Sequence, residues 1–489
     1  MTRLKNYFTG FTVALAGLVF GQGSNSNFYP QMYDNQVSKT LNASAISNVV
    51  SSAILSPKER IDVNLESMMS DPVLKNASWG FVIYDPKTKK VVSSYNENAA
   101  LIPASTTKLL TTDTAMDLLG ENFRWVTQLE YSGNIDENGV LNGNLYIVGS
   151  GDPSLGTGKA GASTYSGLIT DFINAMKDNG IKKVAGNIII QTALFKENKM
   201  NHIPENIVWM EHGNYYLPVG NTSNIDPRKE KAVAKQSNPF NISKAYYYVS
   251  PFTKKMAYTD EYSPSDVTTK LPDAPAYLAN NLRANMVKRG IGVTGKVETR
   301  MVDPNPENRQ MITSYKSPYL KDIVYDTNQR SDNALAEATL RMVGFQRKGD
   351  QTLESGRNVV VEHLQSIGFD TSGLNYVDGS GLSRSHSVTP ISQVKFLSSL
   401  MEQPYFQSYF QSLPIGGQSG TLKRMFLDSG YGMVHAKTGT LNKVKTLAGY
   451  IKTNTGKTLV FSLLVNNYAG SVDMVKTRME RILEPVYSY

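Results

Sequence analysis

Cysteine is absent from the 489 residues. That excludes disulfides, zinc–thiolate sites, iron–sulfur clusters, a cysteine nucleophile and a lipid-modified N-terminal cysteine. Histidine is scarce. His202, His212, His363, His386 and His435 form no H-E-x-x-H or similar metal spacing. No G-x-S-x-G elbow occurs, since Gly417-Gln418-Ser419-Gly420 fails the spacing. There is no Walker loop, and no G-x-G-x-x-G follows a strand-like run. Zinc hydrolysis, a histidine triad and nucleotide binding therefore find no support, and neither a metal nor a cofactor is expected. Charge of one sign is also in short supply: 50 Lys and Arg against 42 Asp and Glu leave +8. That is too small a surplus over this length for a nucleic-acid footprint. It suits work near an anionic polymer or a membrane surface, peripheral attachment included.

Long hydrophobic runs are missing but for one. Residues 8–20 are apolar, broken by Gly10 and Gly17, and fall short of the ~20 residues a membrane span needs. Arg3 and Lys5 precede the run. Gly21 and Gly23 flank Gln22 after it, and a polar stretch follows. This is a signal-peptide layout with a cleavage site after Gly23, the alternative being an uncleaved membrane anchor. It predicts an exported protein of the periplasm or cell envelope.

What is present fits a globular chain: 40% hydrophobic and 19% charged residues. The length implies roughly two to four domains. Residues 24–58 read as a polar N-terminal lead-in. Helical periodicity covers 59–74, 105–119, 164–179, 275–289, 335–343, 358–367, 392–401 and 471–484. Gly120 and Gly180 sit where helices would stop. Strand patterns cover 80–84, 91–95, 124–131, 141–148, 184–190, 296–301, 446–452 and 458–466. Asp85-Pro86-Lys87-Thr88 and Asn454-Thr455-Gly456 make hairpins of the first and last strand pairs. A hairpin near each end predicts one sheet built from both termini, with the middle inserted, an α+β architecture. Within the middle, Gly180-Ile181…Val184…Gly186 is echoed by Gly290-Ile291…Val293…Gly295. Two copies leave duplication and coincidence both open. Residues 200–275 show no readable organisation.

A serine can act without histidine if a lysine serves as base, kept neutral by burial and a nearby cation. Positions i and i+3 share a helix face, and Ser105-Thr106-Thr107-Lys108 offers that spacing at a predicted helix start. An unpaired N–H there could face an oxyanion. Alone the motif is weak, since Ser392-Gln393-Val394-Lys395 also matches. Ser331-Asp332-Asn333 is equally weak, because Ser94-Tyr95-Asn96 and Ser132-Gly133-Asn134 also read S-x-N. Lys437-Thr438-Gly439-Thr440 holds the chain's one K-T-G, just before the last hairpin. The ordered set is far more specific than its members.

With that set the chain resembles penicillin-binding proteins and serine β-lactamases, and most closely the D-alanyl-D-alanine carboxypeptidase/endopeptidase family of class C low-molecular-mass penicillin-binding proteins. The resemblance runs from about residue 60 to the end. It is carried by 103–108, 151–155, 184–195, 378–384, 413–422 and 435–440, and by the 226-residue separation of Ser105 and Ser331. It implies an antiparallel sheet with helices on both sides, the transpeptidase/β-lactamase-like fold, carrying a two-domain insertion. The catalytic domain would be 59–128 and 318–489, one inserted domain 129–154 and 210–317, the other 155–209. It further implies Ser105 as nucleophile, Lys108 as its base and Ser331 as proton relay. Asn333 would hold the substrate amide and fix Lys108. Lys437 would supply charge for the substrate carboxylate and lower the Lys108 pKa. The N–H groups of Ser105 and Thr440 would form the oxyanion hole, and the Thr440 hydroxyl would bind the carboxylate beside Thr438 and Gly439. Arg384 is a candidate substrate contact, although 149–155 and 378–384 read first as tight turns. Expected partners are peptidoglycan stem peptides and, as covalent inhibitors, β-lactams, with no nucleic acid. Gln191 stands where the family carries an acid that holds a free ammonium of the stem peptide, with Phe195 as the nearby aromatic.

Two other readings stay open. One is a serine β-lactamase, disfavoured because Glu337-Ala338-Thr339-Leu340-Arg341 does not match the E-x-x-L-N deacylation motif. The other is a non-catalytic peptidoglycan or β-lactam sensor, disfavoured by the intact motifs. Oligomeric state is not legible.

Overall fold

The computed structural model describes residues 55–191, 207–209, 216–218, 247–249, 256–258, 274–300, 307–349 and 352–489. The signal segment, nearly all of the lead-in, and Phe195 lie outside the described residues.

Helix α1 (Pro57–Met69) begins at Ser56. The Ser56 hydroxyl accepts the Glu59 N–H, and the Glu59 carboxylate accepts the Ser56 N–H, a reciprocal cap. Strands β1 (Ser78–Asp85) and β2 (Lys90–Tyr95) follow. Between them the Asp85 carboxylate accepts the Lys87 and Thr88 N–H groups, which closes the expected turn. Helix α2 (Lys108–Leu119) ends at Gly120.

The chain then leaves this unit and builds β3 (Val126–Ser132), β4 (Asn134–Ile135), β5 (Val140–Asn142), β6 (Leu145–Val148), α3 (Tyr165–Asp178), β7 (Lys183–Val184) and β8 (Ile188–Gln191). Four three-residue strands make two separate hairpins, β9 (Ile207–Trp209) with β10 (Tyr216–Pro218) and β11 (Tyr247–Val249) with β12 (Met256–Tyr258). Helix α4 (Ala274–Lys288), β13 (Gly292–Val293), β14 (Val297–Arg300) and β15 (Arg309–Lys316) complete the excursion. The return is helical: α5 (Leu320–Arg330), α6 (Asn333–Lys348), α7 (Leu353–Ser366), α8 (Pro390–Leu400) and α9 (Phe406–Ser412). Three strands, β16 (Val434–Leu441), β17 (Val444–Lys452) and β18 (Thr458–Asn466), precede the last helix α10 (Val472–Leu483).

The two chain ends share one antiparallel sheet in the order β16-β17-β18-β1-β2. Side chains alternate between its faces. Trp79, Phe81, Ile83, Leu447, Phe461 and Leu463 pack with Val475 and Met479 of α10 on one face. Val82, Ala448, Tyr450 and Val460 pack with Leu109, Val394 and Leu397 on the other. The K-T-G segment is not merely a lead into the last hairpin. It forms a full edge strand, β16, which its mixed polar sequence does not signal.

The inserted region is different. Its two sheets run β14-β8-β6-β3-β15 and β13-β7-β5-β4. The echo in the sequence is a structural repeat. Val293 pairs in parallel with Val184 and Val297 with Ile188, so the two copies lie side by side. A third rung, β5–β6, pairs in parallel on the far side through Leu141 and Leu145. The sequence hides it because no helix precedes it. Gly143, Gly186 and Gly295 stack at the bend of each rung. A Cβ on Gly186 or Gly295 would overlap the carbonyl oxygen of the glycine in the rung before, so the rungs approach this closely only without side chains. Asn144 and Asn187 bind the next rung, their side-chain oxygens accepting the Asn187 N–H (2.8 Å) and Lys296 N–H (2.9 Å).

Residues 155–191 and 207–209 are the described part of the domain expected over 155–209. Leu155, Leu168, Phe172, Ile173, Val184 and Ile188 share one core with Leu129, Leu145, Leu282 and Met286. No helix among the described residues is long and apolar enough to cross a membrane. Among those residues no group of three His, Asp or Glu is placed to hold a metal ion.

Candidate active site

Ser105 sits in a 3-10 turn, Ala104–Thr107, that runs directly into α2. Ala104 before it takes a left-handed conformation, φ 47°, which costs an alanine on the order of 1–3 kcal/mol. Lys108 lies three residues on and is fully buried. Its Nζ is 3.1 Å from Ser105 Oγ, 2.7 Å from Asn333 Oδ1 and 2.6 Å from the Ser380 carbonyl. A neutral amine has two N–H donors and one lone pair. Asn333 and Ser380 can take the two donors, leaving the lone pair facing the Ser105 hydroxyl. Burial pulls the Lys108 pKa down to about 8, against the carboxylates of Glu337, Asp378 and Asp332, which raise it.

Ser331 ends α5 in a left-handed conformation, φ 57°. Asp332 caps α6 by accepting the Leu335 N–H. Lys159, from the inserted region, forms an ion pair with that same carboxylate. The insertion thus touches the residue between Ser331 and Asn333. Lys437 Nζ donates to Ser331 Oγ at 2.8 Å and to the Thr438 carbonyl at 2.8 Å. Its pKa is held well below the usual lysine range by burial first, then by the charges of Lys108 and Lys445. Burial is the first cause of the depression at both lysines.

Strand β16 runs close against the Ser105 turn. A Cβ on Gly439 would lie 2.6 Å from the Pro103 carbonyl oxygen and 2.9 Å from the Ser105 nitrogen, so glycine is required. Thr446 Oγ1 donates to the same Pro103 carbonyl at 2.6 Å and locks the contact. The Ala436 N–H bonds outward, to the Pro414 carbonyl. Alternation along an edge strand turns the Thr438 and Thr440 N–H groups the same way, away from β17. The Ser105 N–H has no acceptor among the described residues.

Direct hydrogen bonds therefore join Ser105, Lys108 and Asn333 in one group and Ser331 and Lys437 in another. The remaining candidates divide. Thr438 Oγ1 donates to Thr421 Oγ1 (2.7 Å), and the exposed Thr440 accepts from Lys445. Arg384 Nη1 donates to the Asn442 carbonyl at the β16–β17 turn. Gln191 is buried, and its Oε1 accepts from Arg309 Nη1 at 2.7 Å. An oxygen engaged by a guanidinium is a poor partner for a substrate ammonium. The second S-x-x-K is a helix cap: Ser392 is buried against Thr389 at the start of α8, and Lys395 faces solvent.

Sequence reasoning missed Ser380, Glu337 and Asp378. The Asp378 carboxylate accepts the N–H groups of Gly381 (2.6 Å), Leu382 (3.1 Å) and Ser383 (2.9 Å), folding the loop that aims the Ser380 carbonyl at Lys108. Glu337 accepts the Ser380 N–H at 2.8 Å. Burial raises the Glu337 pKa to about 7, helped by the Asp378 charge. The Asp-Gly-Ser-Gly run had signalled a turn. Its acceptor role depends on a partner far away in sequence.

Comparison with known proteins gives the family and the fold. The sequence profile of the D-Ala-D-Ala carboxypeptidase 3 (S13) family matches residues 61–239 and 253–484. A D-alanyl-D-alanine carboxypeptidase of Actinomadura sp. (strain R39) is 26% identical over 449 residues, covering 83% of this chain and 81% of that enzyme. D-alanyl-D-alanine carboxypeptidase DacB of Haemophilus influenzae is 25% identical over 470 residues, covering 87% and 94%. The crystal structure of penicillin binding protein 4 from Haemophilus influenzae superposes with a TM-score of 0.66 at 22% identity, over 87% of this chain and 100% of that one.

Proposed function

The chain belongs to the D-Ala-D-Ala carboxypeptidase 3 (S13) family, and from that premise we propose that it is an exported serine D,D-peptidase acting on peptidoglycan stem peptides. The observation that carries this reading is the Lys108 amine, buried and lying between Ser105 Oγ, Asn333 Oδ1 and the Ser380 carbonyl. Lys108 takes the Ser105 proton as Oγ bonds to the penultimate D-Ala carbonyl carbon. The developing oxyanion is held by the Ser105 and Thr440 N–H groups. Collapse breaks the C–N bond, and the departing amine receives the proton through Ser331, which Lys437 orients. Asn333 holds the substrate amide. Water then adds to the acyl-enzyme, and the Ser105 hydroxyl is restored. No step calls on a cofactor.

The same chemistry cleaves a terminal D-Ala or a D-Ala-linked cross-link, so carboxypeptidase and endopeptidase action both follow. A β-lactam ring would acylate Ser105 in the same way. The basic-then-apolar start of the chain supports export to the periplasm or envelope.

The test is labelling with a fluorescent penicillin, paired with D-alanine release from a pentapeptide. Wild type should do both, and Ser105→Ala neither. An adduct mapped to Ser392, labelling that survives Ser105→Ala, or absence of D-alanine release would overturn the reading.

A further inference from the structure

Lys445 lies directly opposite Thr440 in the β16–β17 ladder. Directly opposed residues of an antiparallel pair project to the same face. The Lys445 side chain is buried, with 5% of the residue exposed, yet its Nζ reaches the exposed Thr440 hydroxyl at 2.7 Å. An ammonium has three donors, and this bond uses one. Among the described residues no carboxylate pairs with it. Its charged neighbour is another cation, Lys476, which itself pairs with Asp473 at 3.0 Å. Lys445 also acts on Lys437 from the far side of the strand. Lys445 itself therefore stands at the Thr440 end of β16 with no carboxylate among the described residues beside it. A buried cation lacking a counter-charge is costly. Burial accordingly draws the Lys445 pKa down to about 8. An anion arriving at Thr440 would relieve that cost.

We propose that Lys445 and Thr440 together bind the free carboxylate that follows the scissile amide, so that Lys445 is a specificity-determining residue for acyl-D-Ala substrates with an ionised end. The inference rests on the reading of Ser105 and Thr440 given above. With the oxyanion at the Thr440 N–H, the carboxylate lies only a few bonds further along the substrate, beside the Thr440 side chain. Lys437 is turned to the opposite face and is committed to Ser331 and the Thr438 carbonyl. Lys445 has donors to spare. The site would take any residue beyond the scissile bond that keeps its α-carboxylate.

The experiment compares two activated substrates on the full chain: an N-acyl-D-Ala thioglycolate with a free carboxylate, and its methyl ester. The quantity read is the acid-to-ester ratio of kcat/KM. Lys445→Met should lower that ratio about 10–100-fold, as expected for losing a hydrogen-bonded charge, mainly through KM. Lys445→Arg should recover most of it. A ratio unchanged in Lys445→Met, or a loss that strikes acid and ester equally, overturns the role of Lys445 and leaves the peptidase reading standing. A wild type that hydrolyses neither thioester and takes no penicillin label overturns both.

Discussion

The terminal sheet and the inserted sheets bury different things. In the inserted core Leu, Ile, Phe and Met side chains meet around short rungs, and among the described residues its buried polar side chains are Thr127, Ser132, Asp152, Ser154 and Gln191, with Ser154 donating to Asp152 and Arg309 to Gln191. The terminal unit buries Lys108, Lys437, Lys445, Asp113, Glu337, Arg341 and Asp378. Taking charges out of water is expensive, and that cost is concentrated in the half of the molecule where the proposed chemistry lies. The long antiparallel sheet can carry it. Strands β17 and β18 are buried over nearly their whole length, so apolar packing offsets the charged centre. Perturbed groups gathered in a cleft mark function, whereas an apolar core marks scaffold.

The comparison is broken most severely by removing one lysine. Lys108→Ala should lower penicillin acylation by roughly 10²–10⁴-fold, the usual worth of a general base. Lys437→Ala should match it within about tenfold, because Ser331 loses its orienting donor. Stopped-flow acylation rates check both. A Lys108→Ala protein keeping more than about a tenth of the rate would remove the base assignment.

A smaller effect probes the scaffold side. Gly186→Ala places a Cβ against the Gly143 carbonyl. It should destabilise the inserted region by about 1–3 kcal/mol. Limited proteolysis should show faster cleavage within 129–191, while the penicillin acylation rate of the folded protein changes less than about threefold. An equal loss of acylation would mean that the rungs also hold the Ser331–Asn333 segment in place, through the Lys159–Asp332 pair.

The smallest effect is in pH. Acylation requires neutral Lys108, so its rate should climb as pH rises through about 8. The Glu337 charge raises the Lys108 pKa. Glu337→Gln should therefore move the rising limb to lower pH, by less than about one unit. Stability carries a separate signature. The folded Glu337 pKa, about 7, lies above the ordinary 4.5. Its contribution is present at low pH and is lost as pH rises between those values. Stability measured by chemical denaturation from pH 4.5 to 7 should fall less steeply in Glu337→Gln than in wild type. Identical profiles would show that Glu337 is not the titrating group.

Much of the fold was legible because local rules and tertiary structure agree. The strand at 458–466 was read with the bounds it has, since a branched, apolar run between turns suits a strand buried on both faces. The helices at 164–179 and 275–289 stop at glycines, as expected. Strand β16 is not legible, because a strand that buries His435, Lys437 and Thr438 has no apolar alternation to read. The third rung, β5–β6, is not legible as a repeat because no helix precedes it and its two short strands read as one run over 141–148.

The sequence by itself determined the motif set and its order, the two hairpins that close one sheet from both ends, and the absence of cysteine and histidine chemistry. Each depends on residue identity and short spacing alone. Only the tertiary structure decided that residues 155–191 belong to the same core as 129–148. Only it showed that Ser380 presents its carbonyl to Lys108, that Gln191 is engaged by Arg309, and that Lys445 stands behind Thr440. These facts join residues far apart along the chain. Burial, which sets the charge state of each lysine, exists only once distant segments have closed over them.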